Sequence, residues 1–239
     1  MRKKLSIIIP CYNEAKNIPV ICDRLNDSII RRKFFEVELV IVNNGSSDES
    51  TKIIETLKKK YFFLKTVHIK KNIGYGNGIK QGLNIAKGEF LAYTHADLQT
   101  DLDDCFKAFE ILSKNEKNNE VYVKGKRKGR SFFDNFFTIG MSIFETLLLK
   151  EKMWDINAQP NLFHKSFFDK IKSNCPDDFS LDLYFLFSAK KLGYKLLRFE
   201  VFFPPRIHGN SKWNTGIISR IKFIKRTISF SFKLNNKIK

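Results

Sequence analysis

The stretch VELVIVNNGSSDESTKIIETLKKKY, residues 37–61, decides how the rest of the chain is read. From Val37 to Val42 it is apolar except at Glu38. Such a run fits a strand covered on both faces, as in a parallel sheet flanked by helices. A polar turn, Gly45 to Asp48, follows, and then an amphipathic helix from about Glu49 to Tyr61. Working outward, the same pattern recurs. KLSIIIP (4–10) is a buried strand ended by Pro10, and Ala15 to Ile30 carries Ile18, Ile21, Leu25 and Ile29 on one helical face. LKTVHI (64–69) is a third strand, a glycine-rich turn and helix come next, and EFLAYT (89–94) is a fourth strand. Strands alternating with helices of this length predict an α/β fold with a mainly parallel sheet.

The second half is less regular. EVYVKGKRKGR (120–130) runs from a strand into a basic loop, and Ser131 to Leu149 is a Phe-rich helix. DINAQPNLFHKSFF (155–168) reads as a turn, a short strand and a helix start. A helix over Ser180 to Leu192, a strand over Lys195 to Phe203 and a loop, PPRIHGNSKWN (204–214), complete it. The expected organisation is one domain, 1–213, followed by a basic amphipathic segment, 214–239. In that segment Ile217, Ile221, Ile224 and Ile228 share a face between Arg220, Lys222, Lys225 and Arg226, a pattern suited to a membrane interface or to packing on the domain.

The chain has 239 residues, of which 43% are hydrophobic, which excludes global disorder. Lys and Arg number 43 against 25 Asp and Glu, a formal charge of +18, which favours anionic partners unless it is compositional drift. Its basic residues are spread out and match no RNA- or DNA-binding module, so nucleic acid is not an expected partner, although the charge keeps that class open. Cys11, Cys22, Cys105 and Cys175 form no CxxC and fit neither a zinc site nor a disulfide framework, which suggests a reducing, cytoplasmic setting. The apolar run Leu5–Ile9 is too short for a signal peptide, and Asp134 and Glu145 interrupt the longest apolar stretch, Phe132 to Leu149.

In open α/β sheets ligands bind beyond the carboxyl ends of the strands. Three loops leave such ends here: PCYNEAKN (10–17), NNGSSDES (43–50) and THADLQTD (94–101). One polar loop is an ordinary turn that caps a helix; three on one edge form a candidate pocket. The segments IIIPCYNEAKNI, LVIVNNGSSDES, NIGYGNGIKQGLNIAKGEF and THADLQTD stand in the order and spacing of the large inverting family-two glycosyltransferases with a GT-A fold. With DINAQPNLF and PPRIHGNSKW, the chain most resembles the polyprenyl-phosphate sugar transferases, the dolichyl-phosphate mannose synthase group, over about residues 4–213.

That resemblance implies a nucleoside-diphosphate-sugar donor lined by Pro10, Tyr12 and Glu14. Asn44 stands where relatives place a carboxylate that accepts from the base; its carbonyl can still accept, and its amide can also donate. Asp97, matching the central carboxylate of the family's Asp-Ala-Asp-Leu-Gln motif, is implied to hold Mg²⁺ or Mn²⁺ against the diphosphate, together with Gln99 and with His95 in place of the first aspartate. His95 could instead only hydrogen-bond a phosphate. Arg127, Arg130, Arg206 and Lys212 match the family's phosphate-binding cations, and Arg127 and Arg206 sit where no carboxylate partner is evident in the sequence. Asp155 matches the carboxylate facing the acceptor, or else braces its loop. Asp48 and Asp101 read as helix caps, and Gly74, Gly76, Gly78 and Gly82 as structural, allowing a helix close to the sheet. The implied activity is sugar transfer to a polyprenyl phosphate by an enzyme peripheral to the cytoplasmic face of a membrane. A saccharide hydroxyl acceptor, or a degenerate non-catalytic binder, remain the alternatives.

Overall fold

The computed structural model describes residues 4–129, 132–204 and 217–236; for 132–137 and 217–223 it describes the helical backbone alone. The first half alternates as expected: β1 (Leu5–Cys11), α1 (Asn17–Arg32), β2 (Val37–Asn44), α2 (Ser50–Lys60), β3 (Leu64–Ile69), α3 (Tyr75–Ile85), β4 (Phe90–Tyr93) and α4 (Asp103–Ser113). The second half holds β5 (Val121–Lys128), α5 (Phe132–Leu149), β6 (Asn161–His164), α6 (Lys165–Ile171), α7 (Leu181–Lys191), β7 (Lys195–Phe202) and α8 (Ile217–Asn236).

These strands form one seven-stranded sheet in the order β3-β2-β1-β4-β6-β5-β7. All neighbours are parallel except β6, which runs antiparallel to both β4 and β5. Every residue of β2 and β4 is buried, as both-face coverage requires. Alternate side chains feed two cores. Ile7, Ile9, Leu39 and Ile41 pack with Ile18, Ile21 and Leu25 of α1, Ile54 of α2 and Phe106 of α4. Ile8, Val40 and Val42 pack on the other face with Ile79 and Leu83 of α3, Phe167 of α6 and Phe185 of α7. Each such buried side chain stabilises the fold by roughly 1.5–3 kcal/mol.

The glycines of α3 act as the sequence suggested. A Cβ on Gly82 would lie 2.4 Å from Ile8 Cγ2, so the helix rests directly on β1. Gly74 has φ +146°, and a Cβ there would lie 2.1 Å from the Asp177 carbonyl oxygen, a close approach that fixes the start of α3 against the loop before α7. Order in the sheet reverses between β1 and β4, since β2 and β3 lie to one side of β1 and β4 to the other. That reversal opens a crevice at the carboxyl ends of these strands.

Among the described residues no helix is long and apolar enough to cross a membrane. The side chains of Ile217 and Ile221 lie outside the described residues. Farther along α8, Ile224 and Ile228 are half-buried, and the buried positions are Thr227, Ser231 and Leu234. Ser231 Oγ donates to Glu145 Oε1 of α5 at 2.7 Å, so this part of the helix packs on the domain.

Candidate functional site

The β1–α1 and β2–α2 loops are stitched together at the crevice. Asn13, at φ +56°, donates its backbone N–H to Ser46 Oγ at 2.9 Å and accepts from the Ser47 N–H at 2.8 Å. Asp48 accepts from the N–H groups of Ser50 (3.0 Å) and Ala15 (3.2 Å), which supports its structural reading. Asp101 likewise accepts from the Asp103 N–H at 2.9 Å at the start of α4. Glu14 accepts from Asn17 Nδ2 at 2.6 Å in the first turn of α1. Pro10 is half-buried at the end of β1, and Tyr12 is exposed beside it.

Asn43 is structural: Oδ1 accepts from the Ser46 N–H at 3.0 Å and Nδ2 donates to Thr51 Oγ1 at 2.7 Å. Asn44 is arranged differently. Its Nδ2 donates to the Gly74 carbonyl at 3.0 Å and to Asn72 Oδ1 at 3.3 Å, while its buried Oδ1 has no donor among the described residues. An unmet buried acceptor costs about 1–3 kcal/mol, so this one marks a place where a ligand N–H would be favoured.

The loop after β4 holds Asp97, 7% exposed, whose Oδ1 accepts from the Gln99 N–H at 3.1 Å. Leu98 takes φ +59° in this turn. Gln99 Nε2 donates to the Pro204 carbonyl at 2.9 Å, tying the loop to the end of β7. His95 is half-buried, with its ring 5.7 Å from that of Tyr75, which stacks on Phe179 at 4.6 Å. A divalent ion would find one carboxylate and one imidazole, two residues apart. Among the described residues there is no cluster of three or more His, Cys, Asp or Glu side chains able to hold an ion. This set does not make a closed cage. It does fit a Mg²⁺- or Mn²⁺-type cation that takes most of its ligands from phosphate oxygens and water.

On the other side of the crevice Arg127 corrects the sequence reading, because it has a carboxylate partner. Its Nε donates to Asp155 Oδ1 at 2.8 Å, its Nη2 to the same oxygen, and its backbone N–H to Oδ2 at 2.8 Å. Arg127 and Asp155 side chains are 10% and 7% exposed. Burial pushes the Asp155 carboxyl up, but the Arg127 charge and hydrogen bonds outweigh it and hold the group below the usual carboxylate range. Asp155 sits at φ +42° and accepts on its carbonyl from the Ala158 N–H at 3.1 Å. The structure thus brings together Pro10, Tyr12, Glu14 and Asn44 on one flank, His95, Asp97 and Gln99 in the loop after β4, and the Arg127–Asp155 pair at the end of β5. Arg130, Arg206 and Lys212 lie outside the described residues.

Sequence reasoning missed a buried polar network beneath the 155–161 loop. Asp182 Oδ1, in the first turn of α7, accepts from Tyr93 Oη (2.8 Å) and Gln159 Nε2 (3.0 Å). Gln159, joined to Pro160 by a cis peptide, also donates to Tyr75 Oη at 3.2 Å. Lys124, wholly buried, donates to the Ala158 carbonyl and to Asn161 Oδ1, both at 2.7 Å. Burial pushes its ammonium down to about 7, against the pull of Asp182. The one signal in the sequence was a lysine inside an otherwise apolar strand, VYVK.

A family-wide profile described as "Glycosyl transferase family 2" matches residues 6–172. A dolichyl-phosphate β-glucosyltransferase of Dictyostelium discoideum is 26% identical over 213 residues, which cover 82% of this chain and 65% of that protein. The poly-β-1,6-N-acetyl-D-glucosamine synthase of Staphylococcus epidermidis is 34% identical over 127 residues, 53% of this chain and 30% of that protein. The chain therefore spans less than two thirds of the length of either relative. In fold it is similar to a mannosyltransferase of Pyrobaculum calidifontis solved with GDP-mannose and Mn²⁺, with a TM-score of 0.69 at 18% identity, over 98% of this chain and 65% of that one. The strand order, the crevice at its reversal and a profile match running from β1 through α6 agree: this chain belongs to glycosyl transferase family 2.

Proposed function

We propose that the protein is an inverting, metal-dependent glycosyltransferase that moves a sugar from a nucleoside-diphosphate donor to a polyprenyl phosphate, at the cytoplasmic face of a membrane. The observation that carries the donor side is the unmet Asn44 carbonyl in the crevice wall, with the buried Asp97 in the loop after β4. Asn44 Oδ1 would accept from a base N–H, and Glu14 from a ribose hydroxyl. Asp97 and His95, with Gln99 beside them, would hold the cation. When bound, that ion supplies positive charge to the leaving diphosphate.

In the transfer, an acceptor oxygen attacks the anomeric carbon from the face opposite the diphosphate. As that bond forms, the bond to the diphosphate breaks and its electron pair leaves with the diphosphate, so the anomeric configuration inverts. Arg127, anchored by Asp155, presents a fixed cation at the far side of the crevice. Asp155 is a weak base, because Arg127 neutralises it and keeps its pKa low. A hydroxyl acceptor needs a base, whereas a phosphate is already ionised. This favours the phosphate acceptor, as does the likeness to a dolichyl-phosphate glucosyltransferase. The match to a poly-N-acetylglucosamine synthase keeps a saccharide hydroxyl as the second reading.

Thermal shift with UDP-, GDP-, CDP- and dTDP-sugars, each with Mg²⁺, Mn²⁺ or chelator, tests the donor site, since a ligand that binds only the folded state raises its stability. Stabilisation by one nucleotide class that depends on the ion is expected. No stabilisation by any donor would defeat the proposal.

A further inference from the structure

The exposed apolar side chains of most of the molecule are scattered, but on α5 they align. Ile139, Ile143 and Leu147 are 41%, 54% and 74% exposed. Spaced by four, they form one ridge along the helix. The opposite face holds Ser142, Glu145 and Leu149, all buried. Phe232 of α8, 50% exposed, reaches the same helix pair, its ring 6.5 Å from that of Phe144. Trp154, 39% exposed, lies between Met153, whose N–H is bonded to Thr146 of α5, and Asp155.

Charge says what such a surface would meet. Lys150, directly after α5, and Lys225 and Lys233 on α8 are exposed. Among the described side chains of the two helices the one carboxylate, Glu145, is buried. A second copy of a chain of formal charge +18 would bring cations to cations. A layer of anionic headgroups over acyl chains matches both the ridge and its lysines.

The helix pair also borders the catalytic crevice. Met153, two residues before Asp155, donates its N–H to Thr146 Oγ1 of α5 at 2.9 Å. On α8, Arg226 pairs with Asp178 at 3.3 Å and lies over Phe179 at 5.5 Å, and Phe179 stacks on Tyr75 beside His95. We infer that the ridge Ile139–Ile143–Leu147, with Phe232 and Trp154, is the surface by which the protein rests on an anionic membrane. It rests there with the Arg127–Asp155 side of the crevice turned toward the lipid headgroups. This deepens the polyprenyl-phosphate reading and rests on it. It adds an apolar contact on α5 to the C-terminal segment, whose described part offers Phe232 and the exposed Lys225 and Lys233.

The test uses the full chain and vesicles of phosphatidylcholine alone or mixed with phosphatidylglycerol. The wild type should co-sediment with the mixed vesicles, less in high salt and little with phosphatidylcholine alone. Replacing Ile143→Glu and Leu147→Glu together should lower partitioning on the order of tenfold. Both positions are exposed, so the melting temperature should hold. Transfer to a short, water-soluble polyprenyl phosphate should be unchanged in this variant, while transfer to a long-chain acceptor in vesicles falls. Equal vesicle binding by variant and wild type overturns the assignment. So does a wild-type dimer in light scattering that the two substitutions dissolve, which would make the ridge a contact between copies. Failure of the wild type on the short acceptor would instead sink the transferase reading and leave the vesicle result standing.

Discussion

The two flanks of the crevice are built on opposite plans. The donor flank, from β1 to β4, is ordinary α/β architecture. Its central strands are mainly apolar, with the buried Glu38 held by Ser6 at the far end of β2. Its functional side chains hang from loops braced by short polar side chains: Asn13 with Ser46 and Ser47, and Asp48 with the Ala15 and Ser50 N–H groups. The acceptor flank, from β5 to β7, puts charge into the interior: Lys124 and Asp182 are 0% and 1% exposed, and Arg127 is bound to Asp155. The difference teaches where function and stability separate. Substitutions on the donor flank should affect ligands more than folding, and those on the acceptor flank should affect both.

The largest expected effect is at Asp97. Asp97→Asn keeps an oxygen for the Gln99 N–H but loses the charge, and turnover should fall on the order of 10²–10³-fold with little change in melting temperature. Undiminished turnover at saturating Mn²⁺ would take the ion away from this residue. On the acceptor flank, Arg127→Met strands a buried carboxylate and should lower unfolding free energy by about 3–5 kcal/mol, alongside a loss of activity. Urea denaturation measures it, and adding Asp155→Asn, which removes the stranded charge and tolerates the φ of +42° at this position, should restore much of the stability but not the activity. If Arg127→Met melts like the wild type, the two flanks do not differ in the way described.

A subtler effect concerns Glu145, which burial pushes up to about 7 against the hydrogen bond from Ser231. Between the ordinary glutamate value of 4.5 and about 7, the folded state keeps a proton that the unfolded chain releases. The group therefore lowers stability as pH rises through that window, by at most about 3 kcal/mol. Glu145→Gln should flatten this slope in denaturation curves at pH 5, 6 and 7; an unaltered slope would assign it to other groups. The smallest effect is at Asn44. Asn44→Ala removes the unmet acceptor and should weaken donor affinity about tenfold, or roughly 1.4 kcal/mol, in calorimetric titration. Unchanged affinity would move the base elsewhere.

The same contrast explains what the sequence could reveal. A run such as Val37–Val42 carries its own two-sided burial, so the parallel half was legible strand by strand. The polar loops after β1, β2 and β4 were legible too, because their place at carboxyl ends follows from strand direction. Pairing across the acceptor flank was not. Arg127 meets Asp155 only because β5 and the loop before β6 converge, and nothing local in KGKRKGR announces it. Asp182 looks like an ordinary first-turn carboxylate in SLDLYFLF until Tyr93 and Gln159 are brought to it. The tail left two readings open, a membrane interface or packing on the domain, because its isoleucine periodicity gives a face but not its partner. In the described part of α8 the half-buried Ile224 and Ile228 flank the buried Thr227, Ser231 and Leu234, and Ser231 meets Glu145 of α5.

The most direct measurement is of the product. The wild-type chain would be incubated with Mn²⁺, a polyprenyl phosphate and whichever nucleotide sugar stabilises it. The lipid extract would then be examined by mass spectrometry, and the anomeric linkage by NMR. The expected product is one sugar joined to the lipid phosphate, with the anomeric configuration inverted relative to the donor and one nucleoside diphosphate released per transfer. A retained configuration, or no lipid-linked sugar from a donor that demonstrably binds, would contradict it.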